Sequence, residues 1–301
     1  MLTAALVVAG GGIYGLARWW RLGPDPSTSE LLRQLPQRNA VLFHVDISAI
    51  RSAGLMSTIT SAGVTEDPEY LAFVKESGFD WRSDLDSVTG SQAGDDWFIF
   101  AKGRFDWAKL QNYAIVRGGK CHNGVCDAPA VTPGRRISFY AKSSRVLGMA
   151  TSKTPNAVYG MHGVLPGPEI ERADPAPVWY SIPGPRLSSA ASLPNGSKLF
   201  AKALEQAKRA TFGVHQTGNT LELVLRAECA DAASAAALQN QLAGVTSEFG
   251  RYFERLGQKP SSADLSGLIL NGKFQLEGST VQGRWPLSAD FIRNLFGAGG
   301  A

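Results

Sequence analysis

Residues 211–229 read TFGVHQTGNTLELVLRAEC: two extended runs, 211–216 and 220–229, joined by Thr217-Gly218-Asn219. A three-residue loop with Gly between such runs is a hairpin signal, so the chain commits here to antiparallel strands. Working outward, residues 178–182 form a preceding strand and 197–207 an amphipathic helix. Residues 231–256 follow as a long helix capped by Asp231, with Leu238, Leu242, Val245, Phe249 and Phe253 at three- and four-residue steps. A second hairpin, 268–277 with 280–285, and a terminal helix, 288–296, close this half.

Residues 39–162 repeat the order. A strand at 39–50 places Val41, Phe43 and Val45 on one face and runs into a helix over 52–61; a helix starts at Asp67-Pro68-Glu69 and stops at Gly78. Strands at 87–92 and 96–102, a helix at 106–116, a hairpin about Cys121 and Cys126, a hairpin of 136–141 with 146–151, and a helix from Thr154-Pro155 complete it. Strand, helix, paired strands, helix, strand is the order of a split β-α-β unit. The expected fold is therefore α+β: two ferredoxin-like units with antiparallel sheets, 39–162 and 178–301, joined by a Pro/Gly-rich linker, 163–177, and preceded by an N-terminal apolar helix.

Residues 2–17, LTAALVVAGGGIYGLA, carry no charge and precede Arg18, Trp19, Trp20 and Arg21, a basic and aromatic cluster of the kind found at a membrane interface. Sixteen residues rise about 24 Å, short of a hydrocarbon core of roughly 30 Å. Residues 1–22 read as a marginal transmembrane anchor or a signal segment, with Gly15-Leu16-Ala17 as a cleavage site in the second case. Residues 23–38 form a tether, with Ser29 the expected cap of a short helix. The arginines after the apolar run would hold the body in the cytoplasm. The cysteines argue the opposite: Asn123-Gly124 between Cys121 and Cys126 is a hairpin turn that brings the two together, and a disulfide there requires an oxidising compartment. Reduced thiols, or a zinc site with His122, are the alternatives, the latter short of ligands. Cys229 is a buried small hydrophobe.

The charge balance, 30 basic against 26 acidic residues, gives +4 and excludes a nucleic-acid footprint; charged residues make up only 19% of the chain, so a real core is expected. No nucleophile elbow, phosphate loop or zinc-protease motif is present, and no cofactor is implied. His44 and Asp46 share a strand face as an orienting or metal pair, and Asp84 and Asp86 lie two apart in an acidic loop beside Arg82; together these four are the weak metal alternative. Phe-Asp-Trp occurs at 79–81 and 105–107, each Asp placed to cap a helix. Arg135, Arg136, Lys142 and Arg145 form a basic hairpin face that would meet solvent or an anionic partner.

Val45-Asp46-Ile47-Ser48 with Arg51, Gly78-Phe79-Asp80-Trp81 with Asp84-Leu85-Asp86, and Gly103-Arg104-Phe105-Asp106 resemble an uncharacterised bacterial family of membrane-anchored proteins with extracytoplasmic α+β bodies. The resemblance covers residues 36–160 and carries no catalytic residue. The expectation is a non-enzymatic, membrane-anchored protein with its body on the periplasmic side, acting as a binding or assembly module, its partners the membrane and another envelope protein. The alternatives are a metal-assisted periplasmic hydrolase and a ligand-binding protein with a pocket between the halves.

Overall fold

The computed structural model describes residues 25–56, 68–161, 174–187, 195–217, 220–261 and 263–297. The expected anchor, with Arg18, Trp19, Trp20 and Arg21, lies outside them, as does most of the expected linker. Among the described residues no helix is long and apolar enough to cross a membrane.

Twelve strands build one sheet: β1 (Val41–Asp46), β2 (Leu85–Ala93), β3 (Asp96–Gly103), β4 (Lys120–His122), β5 (Val125–Pro129), β6 (Arg136–Ala141), β7 (Val146–Ser152), β8 (Val178–Pro183), β9 (Arg209–Thr217), β10 (Thr220–Glu228), β11 (Lys273–Glu277) and β12 (Thr280–Leu287). Their order is β11-β12-β10-β9-β8-β1-β2-β3-β7-β6-β5-β4. Every pairing is antiparallel. A large antiparallel α+β sheet is thus present, but not as two ferredoxin-like units. In a split β-α-β unit another strand separates the two that flank a helix. Here β1 and β2, β8 and β9, and β10 and β12 lie side by side across their intervening helices. Element order is the same in both arrangements, which is why the sequence could not separate them. The halves also meet in one sheet, because β1 bonds β2 on one edge and β8 on the other, with His44 opposite Thr89 and Trp179.

Period-2 alternation sends side chains to two faces. On one face Leu42, Phe98, Phe100, Val146, Ala150 and Trp179 join Leu31, Leu32 and Leu35 in the largest buried cluster. The expected tether is therefore partly built into the body: a capping box of Ser27 and Glu30, and not Ser29, starts a helix, Thr28–Leu32, that presents Leu31 and Leu32 to the sheet, and Leu35 follows it into the same cluster. On the opposite face, the 24-residue helix Ala232–Arg255, about 36 Å long, packs Ala235, Leu238 and Leu242 on Leu225, Ala227, Val281 and Trp285. Helix Trp107–Val116 covers Cys126 and Ala128 through Ala114. Boundaries move in two places: residues 47–50, expected to end the first strand, begin a helix, Ile47–Ser52, capped by Asp46, and Leu268–Leu270, expected in a strand, closes a helix, Leu265–Leu270, because Asp264 accepts hydrogen bonds from the Ser266 and Gly267 amides and so caps it.

Candidate functional site

Most expected site residues are engaged in architecture. His44 is buried, its Nδ1 2.8 Å from Thr89 Oγ1 and its ring stacked on Trp179 at 6.1 Å between centroids. Burial holds its pKa below the ordinary imidazole value, against a smaller opposing pull from Asp46. Asp46 caps helix Ile47–Ser52, accepting from the Ala49 amide at 2.8 Å and the Ser48 hydroxyl at 2.6 Å. Asp84 accepts from the Asp80 amide and Arg104, and Asp86 pairs with Arg145 at 2.6 Å. Each of these three carboxylates already has a protein donor. Among the described residues no group of three or more His, Cys, Asp or Glu side chains is arranged to hold a metal ion.

The segments behind the family resemblance converge on one structural knot. Asp80 caps the turn Trp81–Asp84, accepts the Tyr70 hydroxyl at 2.8 Å and takes the fork of Arg82, whose hydrogen bonds hold its carboxyl down at about 2. Tyr70 is pushed up to about 12 by burial and by its bond to Asp80. Arg51 donates to the Arg82 and Leu85 carbonyls, both at 2.8 Å. The two Phe-Asp-Trp copies meet: Phe79 and Phe105 stack at 5.1 Å with 14° between planes, while Asp106 caps helix Trp107–Val116.

The basic hairpin is likewise tied down. Arg135 pairs with Asp96, Arg136 with Asp127 and Arg145 with Asp86; Lys142 Nζ reaches Gln34 Oε1 at 2.6 Å over the Phe100 ring. The Cys121–Cys126 disulfide is present, joining directly opposed residues of β4 and β5 with Cα atoms 4.0 Å apart. Asn123 and Gly124 both take positive φ, 49° and 79°, as a two-residue primed turn requires. Cys229 is free and buried, where burial raises its thiol pKa.

What remains open among the described residues is the face of β9, β10, β12 and β11 opposite the long helix. Its side chains are polar: Glu222, Arg226 and Glu228 from β10, Gln282 and Arg284 from β12, and Lys273, Gln275 and Glu277 from β11. A groove of about 260 Å³ crosses it, lined by Asp174, Pro175, His215, Val224, Arg226 and Arg284 among others. Val224 and Gln282, each 8% exposed, make its floor. Asp174 Oδ1 accepts the Ala176 amide at 2.8 Å and stands 3.4 Å from His215 Nε2. Arg284 lies 3.5 Å from Glu222, which also accepts from Thr217 Oγ1 at 3.3 Å. Arg226 is exposed, with no hydrogen-bond or ion-pair partner among the described residues. The sequence reading missed this groove. Its one legible signal was Glu222, Arg226 and Glu228 on one side of β10, opposite Leu223, Leu225 and Ala227; Asp174 lay in what read as linker.

The fold is shared with TP0453. One crystal form of that protein superposes with a TM-score of 0.51 at 13% identity, over 92% of this chain and 100% of that one; another gives 0.52 at 13%, over 92% and 99%. Identity at that level speaks for the fold alone. No family model and no curated protein matches the chain.

Proposed function

We propose that the protein is a non-enzymatic binding or assembly module of the cell envelope, anchored by its N-terminal apolar segment with the body outside the cytoplasm. The observation that carries the binding role is the polar face of β9, β10, β12 and β11, uncovered among the described residues, in a sheet whose other faces are filled by apolar clusters. A polar face with a groove at its centre is available to a ligand without any rearrangement of the core. The Cys121–Cys126 bond supports the extracytoplasmic placement, since such bonds persist in oxidising compartments.

The test is site-specific photo-crosslinking in intact cells. A photoreactive residue at position 228 or 275, on the open face, is expected to give a discrete product in the membrane fraction, and one at position 255, on the long helix, none. Equal products from all three positions, or none from 228 and 275, would overturn the assignment of the binding face.

A further inference from the structure

We propose that the groove holds a small organic monocarboxylate, seated on Arg226. This rests on the open face being the binding face and names the ligand class it takes.

Asp174 is answered by His215 and the Ala176 amide, and Glu222 by Arg284 and Thr217. Arg226, between Thr211 and Gln282 on the neighbouring strands, is the cation lining this groove that has no answering group among the described residues. Gln282, opposite Arg226 on β12, is neutral, and one N–H of its Nε2 is already given to Glu277 Oε2 at 2.6 Å. A guanidinium presents parallel N–H donors in a planar fork that a carboxylate matches with two hydrogen bonds.

Three features narrow the class. Arg226, Arg284 and Asp174 line the groove and Glu222 lies beside it against Arg284, so two guanidinium groups stand against two carboxylates. A multiply charged phosphate would face both carboxylates, whereas a single negative charge is matched by the Arg226 fork. The floor beside Arg226 is Val224, with Pro175 on the wall, so the rest of the ligand meets apolar surface. At about 260 Å³ the groove lies below the roughly 300–1,000 Å³ of drug-sized sites, which selects a small molecule.

The experiment titrates the full-length protein with benzoate, with its neutral isostere benzamide, and with inorganic phosphate, read by calorimetry and ligand-observed NMR. Benzoate is expected to bind, and benzamide and phosphate to bind at least about tenfold more weakly, the loss of one charge-assisted contact. R226Q is expected to weaken benzoate by about tenfold or more while melting at the wild-type temperature, because the side chain it alters is exposed and has no partner among the described residues. R284Q, whose guanidinium is already shared with Glu222, is expected to change it by less than about threefold. Equal binding of benzoate and benzamide, tighter binding of phosphate, indifference to R226Q, or no benzoate binding would each overturn the assignment. Crosslinking from position 228 that persists when benzoate does not bind sinks this inference and leaves the binding face standing; the reverse pair of results sinks the face as a partner surface and leaves the ligand site.

Discussion

At the residue scale, Asp80 and His44 show how little of this chain's ionisable chemistry is free. Asp80 joins a cap, a phenol and a guanidinium in one carboxylate. Because its folded pKa, about 2, lies below the ordinary 3.8, it adds stability that is present in full above the ordinary value and is lost as pH falls toward 2. D80N is expected to cost about 1–2 kcal/mol at neutral pH, the worth of a cap and a partly exposed ion pair, and to flatten the acid limb of stability below pH 4. Urea titrations at pH 7 and pH 3 check this; an unchanged acid limb would contradict it. His44 runs the opposite way. Burial lowers its pKa, so the unfolded chain takes up a proton first as pH falls past the ordinary 6.5, and stability drops there. H44F, which keeps an aromatic ring beside Trp179, is expected to lose this dependence between pH 7.5 and 5.5 relative to wild type, measured as the difference in urea midpoint.

At the scale of elements, sequence legibility divides by what each element depends on. Strands and helices governed by local chemistry were readable: Asp106 and Asp231 as caps, Asn123-Gly124 as a turn, and the cysteine pair that the turn brings together. Pairing across the sheet was not. That β8 would bond β1 depends on the chain's path between them, and no local signal in 178–183 specifies its neighbour. The same limit hid the groove, whose walls come from Asp174, β9, β10 and β12. The edge hairpin carries its own expectation. β4 is three residues long and, among the described strands, pairs with β5 alone, so the disulfide closing its loop is a principal restraint. C121S/C126S is expected to cost about 2 kcal/mol, the loop-closure value for a short loop. Hydrogen exchange should rise first at residues 120–122 and 125–129; uniform loosening of the whole sheet would contradict a local role.

For the whole molecule, β1 is the hinge of the design, since both halves hang on its two edges. Leu42 is fully buried within it and belongs to the cluster that also holds Trp179 and Phe100. L42A is expected to destabilise by about 2–5 kcal/mol, a buried Leu-to-Ala cavity. Because the sheet is continuous, calorimetry should then show one transition shifted as a unit; two separated transitions would mean that the halves fold independently. Among the described residues, one half of this sheet has both faces engaged with apolar clusters, while the other keeps a polar face clear, and the proposed binding role rests on that asymmetry.

The proposed envelope role requires that face to lie outside the cytoplasm. The most direct measurement places a cysteine at exposed position 275 and treats intact cells with a membrane-impermeant maleimide, followed by mass mapping of Cys121 and Cys126. Labelling of position 275 before lysis, with Cys121 and Cys126 recovered as a disulfide, is the predicted result. Labelling only after lysis, with Cys121 and Cys126 recovered as free thiols, would place the body in the cytoplasm and contradict the envelope role.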